Sequence, residues 1–140
     1  MSGINLSRVI LGGLVAGVVL NIGETIFNAV LFAEANEAAF KALNLPPIGG
    51  RAVAWFVIAG FIFSIVMVWL YAAIRPRLGA GPKTAVCAGL TAWTFGYLFP
   101  GIGFLAMGLF PSNLMIYGLV WSLFEVAIAA VAGAYFYREA

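Results

Sequence analysis

Histidine is absent from this sequence, and cysteine occurs once, as Cys87. Without histidine the chain lacks the commonest protein metal ligand and the side chain that most often acts as a general base. A single cysteine excludes an internal disulfide and a cysteine-based zinc site. No nucleophile–base pair and no transition-metal ligand set can be recognised in what remains. We therefore expect a protein that is not an enzyme and that binds no metal and no cofactor.

Charged residues are also scarce. They make up 9% of the chain, with a net charge of +2, whereas globular proteins are about a quarter charged. Hydrophobic residues make up 64% of the chain, and the mean hydropathy is +1.09. The small net charge, without any basic cluster, excludes nucleic acid as a partner. The excess of apolar residues indicates an integral membrane protein whose first partner is the lipid bilayer.

Four apolar segments are long enough to cross a bilayer as helices, which takes about 20 residues. They cover residues 9–32, 52–74, 84–99 and 114–137. We predict one all-α membrane domain over residues 1–140, a transmembrane four-helix bundle. Pro100 interrupts the third segment, which either continues as a kinked or broken helix to about residue 109, the alternative that we favour, or gives way to a separate interfacial piece. Residues 33–45 either extend the first helix or lie in the membrane interface.

The distribution of cations predicts an orientation. Five cations would lie on the side of both termini and the central loop: Arg8, Arg75, Arg77, Lys83 and Arg138. The opposite side would hold only Lys41 and Arg51. By the positive-inside rule, both termini are predicted to face the cytoplasm.

Small and polar residues recur on one face of the first segment, at spacings of three and four that place them above one another on a helix. They are Gly13, Gly17, Asn21, Glu24 and Asn28. The last segment repeats the pattern with Gly118, Ser122, Glu125, Ala129 and Gly133. When the two helices are placed antiparallel, each residue of the first set lies opposite one residue of the second set in a single register. Asn21 then lies opposite Glu125. Because small residues allow helices to approach closely in lipid, we expect the first and last helices to be antiparallel neighbours along this seam.

Glu24 and Glu125 lie within apolar segments that contain no lysine or arginine. An ionised carboxylate in the bilayer costs about 2.5–3.5 kcal/mol. The predicted register places the two groups roughly 4.5 Å apart along the helix axis, where two charges would repel each other. We expect at least one of the two to be neutral at neutral pH. The expected hydrogen-bond partners are Asn21, Asn28, Ser122 and Thr25.

Three interpretations of these two acids stay open. The first is a structural seam, since a neutral glutamate bonded to an amide holds helices together in lipid. The second is a proton or ligand site, the common role of intramembrane acids. Less in keeping with the sequence, they could hold a hard cation. Trp93 and Trp121 could line a cavity for an aromatic or cationic ligand, or could simply pack.

Three motifs carry a resemblance. They are Asn-x-Gly-Glu from Asn21, Leu-Tyr-Ala-Ala-Ile-Arg-Pro-Arg from Leu70, and Trp-x-x-x-Glu from Trp121. Over most of its length the chain resembles a group of small bacterial four-span membrane proteins of unassigned function, which implies a location in the bacterial inner membrane and no particular activity. Small multidrug resistance transporters are similar in having four short spans and a glutamate in the first. This chain differs from them in Glu125, in its longer first loop and in its interrupted third segment.

Two functions fit these features. The chain could be a non-catalytic small subunit or a self-associating scaffold, held by a buried seam of glutamate and asparagine. It could alternatively be a proton-coupled carrier or channel for a small molecule that uses Glu24 and Glu125. The small size and the lack of a soluble domain favour the subunit, in a homo-oligomer or bound to another membrane protein.

Overall fold

The structure, a computed structural model, describes residues 3–139. These hold six α-helices and two π-helical segments. In chain order they are α1 (Leu6–Thr25), π1 (Ile26–Leu31), α2 (Ala33–Ala42), α3 (Gly50–Leu78), α4 (Pro82–Trp93), π2 (Thr94–Leu98), α5 (Phe99–Met107) and α6 (Ser112–Phe136). Four helical stretches are long and apolar enough to cross a membrane, namely spans 1 to 4 at Leu6–Leu31, Gly50–Leu78, Pro82–Met107 and Ser112–Phe136.

The four spans form an antiparallel bundle. Span 1 packs against spans 2 and 4, and span 3 packs against the same two from the other side. The predicted all-α four-helix bundle is confirmed, and so is the prediction that the first and last helices are neighbours. One end of the bundle, the terminal end, holds the first turn of α1 and the last turn of α6. The opposite end, the α2 end, holds α2 and the connection between α5 and α6.

The third span continues past Pro100 to Met107. Proline lacks an amide hydrogen and cannot donate the usual helical hydrogen bond. Pro100 lies in the first turn of α5, directly after the widened turns of π2. A π-helical segment is the usual way for a helix to accommodate such a local change of hydrogen bonding. Gly108 then ends α5 in the left-handed conformation, at φ 64°.

Two helix boundaries differ from what the sequence suggests. The second apolar segment was expected to end at residue 74, before Pro76, but α3 continues through Pro76 to Leu78. A proline this close to the end removes few helical hydrogen bonds, and Gly79, at φ 85°, is where the helix stops. Between spans 1 and 2, Phe32 breaks the helix, so that α2 is a separate helix rather than an extension of α1.

The bundle packs most tightly in its terminal half. The fully buried side chains there are small or of medium size: Ala16, Leu20, Met67, Val68, Val126 and Ala129. In the half toward α2, by contrast, α3 has no buried residue before Ser64. The two halves therefore differ in how much freedom their helices have, because side chains packed without voids resist displacement.

The seam between α1 and α6 has the predicted direction but not the predicted face. Gly12, rather than Gly13, lies against the backbone of Gly133. Gly13 and Gly17 instead face α3, where they pack against Ile65 and Phe61. Since α1 lies between two neighbours, residues one position apart on the helix serve different partners. The expected pairing of the two sets of small and polar residues is therefore wrong, because α1 is rotated about its own axis by one residue relative to the prediction.

Gly12→Ala is expected to destabilise the bundle by about 1–3 kcal/mol, the usual range for overpacking. The added methyl group would meet the carbonyl oxygen of Gly133 and a methyl group of Val68. Gly103→Ala is the matched control, because nothing lies within 4 Å of its added methyl group; there the better helix propensity of alanine gives stabilisation of up to about 1 kcal/mol. Unfolding in mixed micelles measures both. Equal stability of the two variants would contradict the close α1–α6 contact.

Candidate functional site

Glu125 lies in the interior of the bundle, where it is 6% exposed. The indole nitrogen of Trp121, one turn earlier on α6, donates to its Oε2 at 2.8 Å and also to the carbonyl oxygen of Gly23 at 3.2 Å. Gly23 has no side chain, and a methyl group there would overlap the carboxyl group of Glu125. Oε1 of Glu125 is buried and receives no hydrogen bond from any donor within residues 3–139.

Glu24 comes from the neighbouring helix, at the last turn of α1. The hydroxyl of Tyr97 donates to its Oε1 at 2.7 Å, and the side-chain amide of Asn28 donates to its Oε2 at 3.0 Å. Tyr97 belongs to π2 and Asn28 to π1. Both partners of Glu24 therefore lie on π-helical segments, which often occur at functional sites.

The carboxyl groups of Glu24 and Glu125 lie within hydrogen-bonding range of each other. Two ionised carboxylates about 4–5 Å apart would repel by roughly 3–4 kcal/mol at an effective dielectric constant near 20. Neither has a salt bridge, and both ion pairs found among residues 3–139 involve other acids. A proton on either carboxyl would join the two groups by a hydrogen bond. The geometry thus favours the expectation that at least one of them is neutral.

Polar side chains continue from Glu24 toward the α2 end. The amide of Asn36, on α2, donates to Oδ1 of Asn28 at 3.2 Å. Asn36, Asn28, Glu24 and Glu125 consequently form a chain of polar groups in contact, which we call the polar chain. It begins at half-buried Asn36 and ends at Glu125. Beyond Glu125 toward the terminal end the interior is mainly apolar, and its buried polar side chains, Ser64 and Thr84, have no hydrogen bond to the polar chain within residues 3–139.

The other predicted site residues serve different contacts. Asn21 donates to the carbonyl oxygens of Gly17 (2.9 Å) and of Val57 (3.4 Å), so it links α1 to α3. Thr25 donates to a carbonyl of its own helix. Ser122 accepts a hydrogen bond from Trp93 at 2.9 Å and so connects α6 to α4. Two of these four hydrogen bonds connect neighbouring helices and two stay within α1. None of them reaches a carboxyl group.

The remaining predicted packing residues have mixed outcomes. Ala129 is fully buried and Gly133 packs against Gly12 and Ala16. Gly118 has only loose contact with the ring of Phe27. The small residues therefore bring α6 and α1 closest together in the terminal half.

A groove runs between spans 1 and 4 and has a volume of about 790 Å³. Its walls are almost entirely apolar, and six of the residues that line it are Ile22, Phe27, Ile116, Val120, Phe124 and Ile128. Trp121 and Glu125 line it as well, whereas Trp93 does not. Several wall residues are more than half exposed, Phe124 at 65% and Ile128 at 62% among them. The groove therefore opens on the surface of the bundle that would face lipid.

Sequence reasoning did not identify Tyr97, Gly23 or Asn36. A signal was available for Tyr97, since a phenol hydroxyl in the middle of an apolar span needs a hydrogen-bond partner. Gly23 belongs to the Asn-x-Gly-Glu motif, but nothing in the sequence indicates that it lies against the carboxyl group of Glu125. Asn36 depends on how α2 folds back toward π1, which local sequence does not specify.

Comparisons with profiles of known protein families, with curated proteins and with solved structures give no match.

Tyr97→Phe is expected to destabilise the protein by about 1–3 kcal/mol, because Glu24 loses a hydrogen-bond donor inside the bundle. Tyr117→Phe is the matched control, since it deletes the same atom from a residue that is 52% exposed. Its expected effect is within about 0.5 kcal/mol, as for surface changes generally. Free energies of unfolding in mixed micelles provide the measurement, and equal losses for the two variants would contradict the Tyr97–Glu24 contact.

Proposed function

We propose that the protein is a proton-coupled carrier for a small lipophilic molecule, with Glu24 and Glu125 as its proton-binding groups. The observation that carries the proposal is the polar chain, which leads from Asn36 through Asn28 and Glu24 and, among residues 3–139, ends at Glu125. A site that exchanges protons with one side of a membrane needs such a one-sided polar path. Intramembrane acids commonly mark pathways of this kind.

A purely structural seam is the other candidate, and the groove weighs against it. The groove brings an apolar cavity to Glu125. A seam that only joins helices needs no cavity beside its acids.

The π-helical segments suggest how the carrier changes conformation. Both lie in the loosely packed half of the bundle, and both contribute a partner of Glu24. Converting π-helical turns to α-helical turns would rotate the residues beyond them and move Asn28 and Tyr97 relative to Glu24. In this proposal the terminal half, with its small side chains, stays packed while the α2 half moves. A carrier with only four spans is expected to work as a homodimer.

In the proposed orientation both termini face the cytoplasm of a bacterium, with the protein in the inner membrane. The support is the excess of lysine and arginine at the terminal end. The polar chain then opens from α2 to the outer face, so the carrier would take up protons from outside.

Glu125→Gln is expected to remove the infrared carbonyl band of a protonated carboxylic acid from the membrane-reconstituted protein at neutral pH. The reason is that Glu125 is the more deeply buried of the two acids that share the proton, and glutamine in its place cannot carry it. Infrared difference spectra recorded while the pH is changed provide the measurement.

Glu34→Gln is the control for this experiment, because Glu34 is an exposed glutamate on α2 and should leave the band unchanged. A wild-type protein without a protonated carboxyl band at neutral pH would contradict the proposal. So would a band that does not respond to the pH of the solution, since a carrier must exchange its proton with water.

The orientation is tested separately, with single cysteines in a Cys87→Ser background. A membrane-impermeant maleimide added to intact bacteria is expected to label Ala38→Cys, on the exposed surface of α2. Ala80→Cys, in the exposed connection between α3 and α4, is expected to react only after the membrane is permeabilised. The reverse pattern would place the polar chain on the cytoplasmic side.

A further inference from the structure

The terminal end of the bundle carries an excess of positive charge. Within residues 3–139 it holds five cationic side chains and a single acid, Glu139, whereas the α2 end holds two side chains of each sign. The five cations are Arg8, Arg75, Arg77, Lys83 and Arg138. We infer that this surface binds the headgroups of anionic phospholipids. The binding is independent of the proposed carrier activity, because the carboxyl pair takes no part in it.

Most of these cations are free to meet a ligand. Arg75 is half-buried, with its guanidinium carbon 5.5 Å from the centroid of the Tyr137 ring and its Nη1 3.4 Å from Oε1 of Glu139. The other four are exposed and form no ion pair within residues 3–139. At the α2 end, by contrast, Lys41 is paired with Glu37 at 2.9 Å. The uncompensated positive charge is therefore concentrated at the terminal end.

Two tyrosines hold together the helix ends that carry the cations. The rings of Tyr71, on α3, and Tyr137, directly after α6, meet edge to face with their centroids 5.9 Å apart. The hydroxyl of Tyr137 accepts a hydrogen bond from the backbone amide of Asn5, before α1, at 3.4 Å. The hydroxyl of Tyr71 accepts one from the amide of Gly81, before α4, at 3.2 Å. All four helix ends thus meet at one buried pair of rings, and an ordered surface loses less entropy when it binds a ligand.

Apolar side chains lie beside the cations on the outer surface of the bundle. Leu6, Leu78 and Tyr135 are each more than half exposed. Each of them is within three residues of one of the cations in the sequence. A lipid could place its phosphate against the cations and its glycerol and acyl chains against these side chains, whereas a dissolved phosphate ion would make only the first contact. The arrangement therefore favours a lipid headgroup over a soluble anion.

The types of side chain favour a phosphate with a net negative charge. Four of the five cations are arginines, and the planar guanidinium group can donate two parallel hydrogen bonds to phosphate oxygens. In phosphatidylglycerol the phosphate charge is uncompensated, whereas phosphatidylcholine carries an ammonium group that a basic surface repels. Each lysine or arginine near an anionic lipid surface contributes roughly a fivefold preference.

The test places the full chain in nanodiscs that contain phosphatidylglycerol and phosphatidylcholine in equal amounts. Native mass spectrometry of the protein released from the nanodiscs measures which lipid stays bound. Phosphatidylglycerol is expected to be retained more than about fivefold over phosphatidylcholine.

Arg77→Gln and Arg51→Gln are a matched pair of variants, because these exposed arginines lie in the last and the first turn of the same helix, α3. Arg77→Gln is expected to lower the preference for phosphatidylglycerol at least about threefold. Arg51→Gln removes the same charge from the α2 end and is expected to leave the preference unchanged. Circular dichroism checks that both variants keep the helix content of the wild type.

Thermal unfolding in mixed micelles separates the lipid from a free anion. Phosphatidylglycerol is expected to raise the midpoint temperature of the wild type more than the same amount of phosphatidylcholine, since a ligand that binds only the folded chain stabilises it. Arg77→Gln is expected to lose most of this difference and Arg51→Gln to keep it. Millimolar inorganic phosphate is expected to leave the midpoint unchanged.

Three results would overturn the inference. Equal retention of the two lipids would mean that the terminal end does not select a headgroup. Equal losses in Arg77→Gln and Arg51→Gln would mean that the lipid responds to the charge of the whole chain rather than to this surface. Stabilisation by inorganic phosphate that matches the effect of phosphatidylglycerol would assign the surface to a soluble anion. None of these outcomes changes the infrared carboxyl band, so the proposed carrier function stands or fails separately.

Discussion

Two carboxyl groups that lie side by side between apolar helices impose the main constraint on this protein. Glu24 and Glu125 are within hydrogen-bonding range of each other and have no salt bridge. Their charges cannot both be present without a large cost, because lipid and packed side chains screen charge poorly. We therefore expect at least one proton to accompany the pair. The partners of Glu24, Tyr97 and Asn28, are arranged around this requirement.

The bundle meets this constraint by dividing into two halves. In the terminal half, glycine and alanine bring the helices together, as where Gly12 meets Gly133, and most of the buried side chains are apolar. Toward α2 the packing loosens, and two spans pass through π-helical segments next to the carboxyl pair. Regions with few buried apolar contacts open at low free energy. The tight half thus gives stability, and the loose half provides the room that the proposed proton exchange needs.

The groove connects the carboxyl pair with the bilayer. It brings lipid-facing apolar walls and an interior acid together at Trp121 and Glu125, which are already joined by a hydrogen bond. A subunit whose only task is assembly needs no cavity beside its acids, whereas a carrier has a use for one. This difference is why we propose a carrier, although the sequence alone favours the subunit.

The sequence by itself determined the number of spans, the all-α class and the antiparallel neighbourhood of the first and last helices. These follow from the lengths of apolar runs and from the spacing of small and polar residues, which are local properties of the chain. It also indicated the two acids, since ionisable residues are conspicuous in apolar segments. Only the tertiary structure decided which face of α1 meets α6, because α1 lies between two neighbours and a rotation by one residue changes the partner. The same holds for Tyr97, which reaches Glu24 only because span 3 packs beside the carboxyl pair and π2 forms there.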